Sequence, residues 1–416
     1  MHTKRRTFFF GLAMIAAPLA RADTLLDKWL QEGHASGYLR AYDFTRDFAG
    51  NTLTNLHAAS IGGKLKAETG NINGFSAAAG FYFAHDIGFN NYSQNNKYLN
   101  PLLMGTSRGL DVLGEAYLQY KGPWLLARAG NQVIDNPWIN PSDGFMIPNL
   151  YQGVTFSVSP SKALELHADR ILRFKNRTVS SFQASNLFEL PYDNPRYNGA
   201  DNGTIDFGAS YELDRAKAQV WYYDFYDFAK MTYVEGGYKF SSIDYEPFAN
   251  FQYMKEKGSG AQFLGAVDST VYGMRLGLTL PDGEAYFAYD KVPYNSVSGI
   301  SNGNLLSPYT QVYNTDPLYT TVMNYGLVSS RGAGHAWLLG MKLRPLGNRL
   351  DIFPTLSRYN TEPYASNVNA FMLDIAYHLT GKFRGLTLRN RLGVEHGISA
   401  WGNTYVDERV MIQYAF

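Results

Sequence analysis

The sequence predicts an all-β protein, a transmembrane antiparallel β-barrel of eighteen strands with short periplasmic turns and long extracellular loops, some folded into the lumen. Three observations carry that prediction. The last seven residues, VMIQYAF, set Val410, Ile412, Tyr414 and Phe416 against Met411, Gln413 and Ala415, the period of two of a strand that runs to the final residue. Aromatic residues make up 15% of the chain, beside 40 Gly. No run of 18 apolar residues occurs, which excludes membrane helices and leaves strands with one lipid face and one wet face. Finally, short and long connections alternate along the chain, as the two ends of an outer-membrane barrel require.

The elements follow in order. His2, Lys4, Arg5 and Arg6 form a positive n-region, Phe8 to Ala20 an apolar h-region, and Ala20-Arg21-Ala22 a small-residue cleavage signal. Residues 1–22 therefore read as a signal peptide, with Asp23 as the mature N-terminus. Arg5-Arg6 before Phe8 and Phe9 also resembles a twin-arginine signal, but a barrel must cross the inner membrane unfolded. Cleavage removes Lys4, Arg5, Arg6 and Arg21 and no acid, taking the formal charge from +1 to −3. A mildly acidic chain argues against nucleic acid as a partner. The absence of cysteine excludes disulfides and Cys-ligated metal. Residues 23–36 read as a short periplasmic lead-in and 37–416 as one barrel domain.

Alternating segments begin at Gly37. Ala59, Ile61, Gly63, Leu65 and Ala67 alternate with polar neighbours, as do Phe75, Ala77, Ala79, Phe81 and Phe83, and then Val112, Gly114, Ala116 and Leu118. Others fall near 124–133, 150–158, 163–173, 204–213, 216–227, 231–240, 247–255, 270–280, 284–292, 335–343, 349–358, 369–379, 386–396 and 405–416. An even count suits a closed bacterial barrel. The short connections hold turn residues, as in Gly70-Asn71-Ile72-Asn73-Gly74, Lys121-Gly122-Pro123 and Pro281-Asp282-Gly283. The long ones span 86–109, 134–149, 176–202 and 293–333. The final strand needs a partner on each edge and finds it in the first, so Tyr414 and Phe416 are the residues expected for closure and for the barrel-assembly machinery.

Several stretches resemble the OprD-type substrate-specific porins of Gram-negative outer membranes. They are GYLRAYDFTRDF from Gly37, GNQVIDNPWINPSDGFMIPNLYQG from Gly130, RFKNRTVSSF from Arg173 and DIAYHLTGKFRGLTLRNRLGVE from Asp374. The resemblance implies eighteen strands, inward third and seventh loops, and a row of arginines facing a more acidic wall. It also implies passage of small solutes that carry a carboxylate. One departure stands out: where the family often has an Arg after the Ser-Asp of the third loop, this chain has Gly144 and Phe145.

Strand parity tests the arginine row independently. With Phe416, Tyr414, Ile412 and Val410 toward lipid, Arg409 and Asp407 face the lumen. Leu386, Leu388, Leu392 and Val394 outward put Arg389, Arg391 and Glu395 inward, and Leu125, Ala127 and Ala129 outward do the same for Arg128. A charge facing lipid near the midplane costs roughly 2–4 kcal/mol, which favours the inward assignment. Parity leaves Arg40 open, since Tyr38, Tyr42 and Phe44 share its face, and the resemblance turns it inward. Arg40, Arg128, Arg389, Arg391 and Arg409 are thus the expected basic ladder, suited to carboxylates by their planar fork. The plainer alternative is wall-stiffening ion pairs with Glu395, Asp407 or Glu115. On the acidic, polar side stand Asp143 of the third loop and Tyr294, Ser307, Tyr309 and Asp316 of the seventh.

Motifs for phosphate loops, zincins and nucleophile elbows are missing, and no cofactor or metal is expected. The expected function is passive, selective diffusion of amino acids, short peptides or organic acids, with outer-membrane lipid around a monomer or homotrimer. Oligosaccharides or aromatic acids are the alternative cargo, favoured by Tyr-rich loops. A barrel enzyme or adhesin is the alternative of another class.

Overall fold

In the computed structural model, residues 31–49, 53–188, 202–241, 245–297, 302–330, 332–362, 367–398 and 403–416 are described. Eighteen strands form one antiparallel sheet. They are β1 (His34–Asp47), β2 (Leu56–Glu68), β3 (Phe75–Asp86), β4 (Gly109–Lys121), β5 (Leu125–Gln132) and β6 (Leu150–Val158). Then come β7 (Leu164–Lys175), β8 (Thr204–Leu213), β9 (Ala216–Phe225), β10 (Ala229–Lys239), β11 (Glu246–Gly258) and β12 (Asp268–Leu280). The last six are β13 (Gly283–Val292), β14 (Ala333–Leu343), β15 (Leu350–Glu362), β16 (Val368–His378), β17 (Leu386–His396) and β18 (Thr404–Ala415). Each expected alternating segment is a strand.

Consecutive strands pair throughout, and β1 pairs with both β2 and β18. The seam is tight: Gly37 and Phe416 exchange two backbone hydrogen bonds of 3.0 Å each. Gly37 has to be glycine there, because a β-carbon on it would sit 2.1 Å from the Lys64 carbonyl oxygen. No sheet edge is left open.

Parity sorts side chains as alternation requires. Val410, Ile412, Tyr414 and Phe416 are 43–52% exposed on the outer face, while Asp407 and Arg409 are 1% and 7% exposed inside. Elsewhere Leu276, Phe287, Leu339, Leu356 and Phe371 form one outward row across five strands in register. At Pro354, which has no N–H to give, the ladder between β14 and β15 is interrupted.

Two differences from expectation appear. β1 starts at His34, three residues before the expected Gly37, because His34, Ala35 and Ser36 already pair with Glu68, Ala67 and Lys66. The fifth long-side connection, 226–228, is as short as a turn, so not every extracellular loop is long. The second (87–108), third (133–149), fourth (176–203) and seventh (293–332) are long, and are called L2, L3, L4 and L7 below.

L3 and L7 enter the barrel and bury an apolar core against its inner wall. Trp138 and Ile139 of L3 and Leu305, Leu306, Tyr309 and Leu327 of L7 pack with wall residues of β6 to β16. A second cluster joins Leu99, Leu103 and Met104 of L2 to Phe145, Met146 and Ile147 of L3 over β1 to β4. Apolar burial at about 25 cal/mol per Å² makes such clusters the main force holding the loops inside.

L7 is also fastened by wall carboxylates. Glu256 accepts from Leu306 N at 2.8 Å, Asp290 from the Thr320 N and Oγ1 at 2.7 Å each, and Glu235 from the Tyr319 hydroxyl at 2.9 Å. Satisfying buried backbone donors in this way is what lets an irregular loop lie inside a barrel. L3 joins L7 through Asn140 Nδ2, which donates to Thr315 O at 2.8 Å.

Candidate functional site: the lumenal constriction

The site is assembled from β1, β14 to β18 and the tip of L3. Because β16, β17 and β18 are neighbours in register, Asp374 lies opposite Arg391, and Arg391 opposite Arg409. Across the seam, Phe44 faces Arg409 and Arg40 faces Gln413. A cavity of about 420 Å³ opens against this wall, lined by the cations Arg40, Lys342, Arg344, Arg389, Arg391 and Arg409 and the carboxylates Asp143, Asp351 and Asp374. Six positive groups against three negative ones leave the wall electropositive.

Each arginine is oriented by a carboxylate. Arg40 forks onto Asp143, with Nη1 at 2.9 Å from Oδ1 and Nη2 at 3.4 Å from Oδ2, and also donates to Phe145 O and to Gln413. Arg389 Nε and Nη2 lie 2.8 and 2.5 Å from Asp374, which Arg391 Nε approaches at 3.1 Å. Arg409 is held by Asp407 at 2.6 and 3.1 Å and by Asn324 of L7 at 2.8 Å. Of the carboxylates foreseen for wall-stiffening pairs only Asp407 holds a ladder arginine, while Asp143 and Asp374, not foreseen as partners, take Arg40, Arg389 and Arg391. The pairing does not cancel the charge, because Asp374 serves two guanidinium groups.

L4 contributes a residue that parity could not reveal. Arg177 is buried, with its guanidinium 3.3 Å from the Tyr313 ring centroid and 4.1 Å from that of Phe145, and Nη1 donates to Ser142 O at 3.2 Å. Burial pushes its pKa down to about 10, so it keeps its charge at neutral pH. The first carbon of a side chain placed on Gly144 would lie 3.5 Å from Arg391 Nη1, 3.7 Å from Arg177 Nη1 and 4.0 Å from Arg409 Nη1. Where a side chain would otherwise fill the constriction, three guanidinium groups converge on bare backbone. The RFKNR run carries Arg177, but nothing in its pattern tells that L4 turns it toward L3.

The structure brings four of the five ladder arginines into one cavity and leaves Arg128 apart. Arg128, on β5, donates to Gln119 at 2.6 Å and stacks over Tyr117, near the Lys64, Lys66 and Glu115 group. Asp143 is at the constriction, as Arg40's partner. Ser307 and Tyr309 are fully buried and turned to the protein, Ser307 Oγ to Thr310 Oγ1 at 2.5 Å and Tyr309 to Thr204 Oγ1 at 3.2 Å. Their partners pin L7, whose apolar tip packs on the wall. Asp316 is 6% exposed, accepting from Leu318 N and Thr321 Oγ1, and burial pushes its pKa up to about 6. Tyr294 is exposed at the head of L7 and lines neither lumenal cavity. Ala20 and Ala22 lie outside the described residues.

A second cavity, of about 440 Å³, lies against β6 to β10 near the short-turn end, lined by Glu165, Glu212 and Glu235 with Lys162 and Lys217. A basic wall and a more acidic wall thus share one lumen. Residues 126–315 match the family model described as outer membrane porin, OprD family. Close to half of the chain thus resembles the OprD porin family. Solved porins agree in fold. Pseudomonas aeruginosa OpdK, crystallised with vanillate, superposes with a TM-score of 0.74 at 16% identity, covering 93% of this chain and 99% of that one. A BenF-like porin from Pseudomonas fluorescens Pf-5 gives 0.77 at 14% identity, with the same coverage of both chains. Pseudomonas aeruginosa OccK2 in complex with glucuronate gives 0.72 at 15%, again covering 93% and 99%. Among curated proteins no sequence matches. The matched segment and the fold both point to an outer-membrane channel rather than an enzyme.

Proposed function

We propose that this porin passes small carboxylate-bearing solutes, among them amino acids, short peptides and organic acids, by passive selective diffusion along its arginine-lined wall. The observation that carries the reading is the meeting of Arg391, Arg177 and Arg409 at Gly144. A carboxylate arriving there exchanges water for fixed N–H donors, which are worth more in the narrow, partly dry constriction than in bulk. Arg389 and Arg391 share Asp374, so one guanidinium can turn to a solute without stranding a charge. Beyond them Lys342 and Arg344 continue the positive path toward the periplasmic mouth. Successive weak contacts let the solute enter without trapping it.

The same cavity is lined by Tyr42, Phe353 and Met411. That apolar strip favours aromatic acids over oligosaccharides within the carboxylate class, in keeping with the vanillate bound by OpdK. The test is ion selectivity in planar bilayers. Arg389→Gln with Arg391→Gln should lower the anion-over-cation permeability ratio about tenfold, equivalent to ~1.4 kcal/mol. Unchanged selectivity together with unchanged benzoate flux would take these arginines out of the path.

A further inference from the structure

Arg409 presents one of its three guanidinium nitrogens to the constriction. Nε lies 2.6 Å and Nη2 3.1 Å from Asp407, and Nη2 also donates to Asn324 Oδ1 at 2.8 Å. Nη1 makes no hydrogen bond among the described residues, and it is the atom that faces the bare backbone at Gly144. Phe44 and Phe145 pack against the guanidinium, with ring centroids 4.7 and 4.6 Å from its carbon. Flat rings offer no directed partner to any one N–H, so Asp407 and Asn324 decide which nitrogen looks into the lumen.

Asn324 comes from L7 and is seated in a notch of the wall. A β-carbon on Gly393 of β17 would lie 2.5 Å from Asn324 Nδ2 and 3.2 Å from Met323 Cε, so a residue without a side chain admits the loop there. In register Gly393 stands opposite Asp407, the carboxylate that grips Arg409. The loop around Asn324 is braced: Val322 N bonds Tyr325 O at 2.9 Å, the Tyr325 ring meets Tyr359 edge-on at 4.8 Å, and Thr320 is held by Asp290 and by the Tyr359 hydroxyl. A guanidinium only donates, so the amide oxygen is the atom turned to it and the orientation of the Asn324 amide is settled. Asn324 is 8% exposed and is not among the residues that line the cavity.

We propose that Asn324 is a positioning residue for solute selection: docked in the Gly393 notch, it holds Nη2 so that Nη1 of Arg409 stays aimed at a carboxylate passing Gly144. This role rests on the carboxylate reading given above. Asn324 itself does not touch the solute and acts through Arg409. One hydrogen bond thus couples the seating of L7 to the chemistry of the wall, and a loop that lifts takes the aim of Arg409 with it.

Benzoate flux through the whole barrel, measured against benzoate concentration, is the readout. Asn324→Leu, close in size and without an acceptor, should raise the half-saturating concentration about tenfold. Gly393→Ala should do the same by unseating Asn324, with every charged group still in place. In an Arg409→Gln background neither change should have a further effect, because a residue that acts through Arg409 then has nothing to position. An equal loss in that background, the mark of a merely structural role, overturns the proposal, as does wild-type saturation in Asn324→Leu. Should Gly393→Ala not assemble, the cycle of Asn324→Leu with Arg409→Gln decides alone. A wild-type barrel that passes no benzoate would instead fell the carboxylate reading. The same barrels then decide the positioning role by chloride-over-potassium permeability, which Asn324→Leu should lower only where Arg409 is present.

Discussion

At Gly144 the absence of a side chain is what matters. Its missing β-carbon keeps three guanidinium groups facing open space, so Gly144→Asp should place a carboxylate among them and compete with solute. Anion flux is expected to fall about tenfold (~1.4 kcal/mol) in a liposome-swelling assay, while Gly144→Ala, in ordinary contact with its neighbours, changes it far less. Asp316 adds a pH dependence. Its folded-state pKa, raised by burial to about 6, means that the penalty of a buried carboxylate is present above that pH and relieved as the pH falls through it. Between pH 7 and 5 the loop loses one negative charge and is held more firmly. The anion-over-cation permeability ratio should rise over that interval, and Asp316→Asn should remove this component. Reversal potentials measured at both pH values check it.

Among the elements, L7 is a strap across the lumen, and its buckle is Tyr309. The ring meets Tyr151 and Phe174 edge-on at 5.7 and 5.3 Å and lies 6.1 Å from Phe225. Tyr309→Ala should cost about 3–5 kcal/mol of loop anchoring, the range for truncating a buried aromatic. Single-channel recordings should then show larger and noisier conductance while the barrel stays folded. Strands and loops also differ in how far the sequence discloses them. Alternation places Arg389, Arg391 and Arg409 because a strand's side chains have only two directions to choose between, and lipid forbids one. The same rule could have added Asp374, which faces Arg391 in register. No such rule governs loops: Tyr309 and Ser307 read as pore residues until packing shows them turned to the wall, and Arg177 reaches the constriction through a bend that no periodicity encodes. Arg128 obeys parity and still stands apart, since parity fixes a face and not an azimuth around the barrel.

For the molecule as a whole, closure is the condition for everything inside it. Gly37→Val should push β1 off β2 at the Lys64 carbonyl, 2.1 Å from the added carbon, and crowd Phe416 at 3.0 Å. The expected result is a loss of the fast-migrating folded band in unheated gels, with little barrel recovered from membranes. That seam also carries part of the binding wall, because Arg40 on the first strand hydrogen-bonds Gln413 on the last, 373 residues away. Chain-ordering entropy for so wide a loop grows only logarithmically, by (3/2)RT ln n, so the finished ring tolerates it. Kinetics is less forgiving, since contacts between distant parts of a chain form late. Until the hydrogen bonds of Gly37 and Phe416 form, the protein is an open sheet with two sticky borders and an unfinished cation wall. Channel activity is therefore expected to emerge in one late step, with no leaky half-built pore before it.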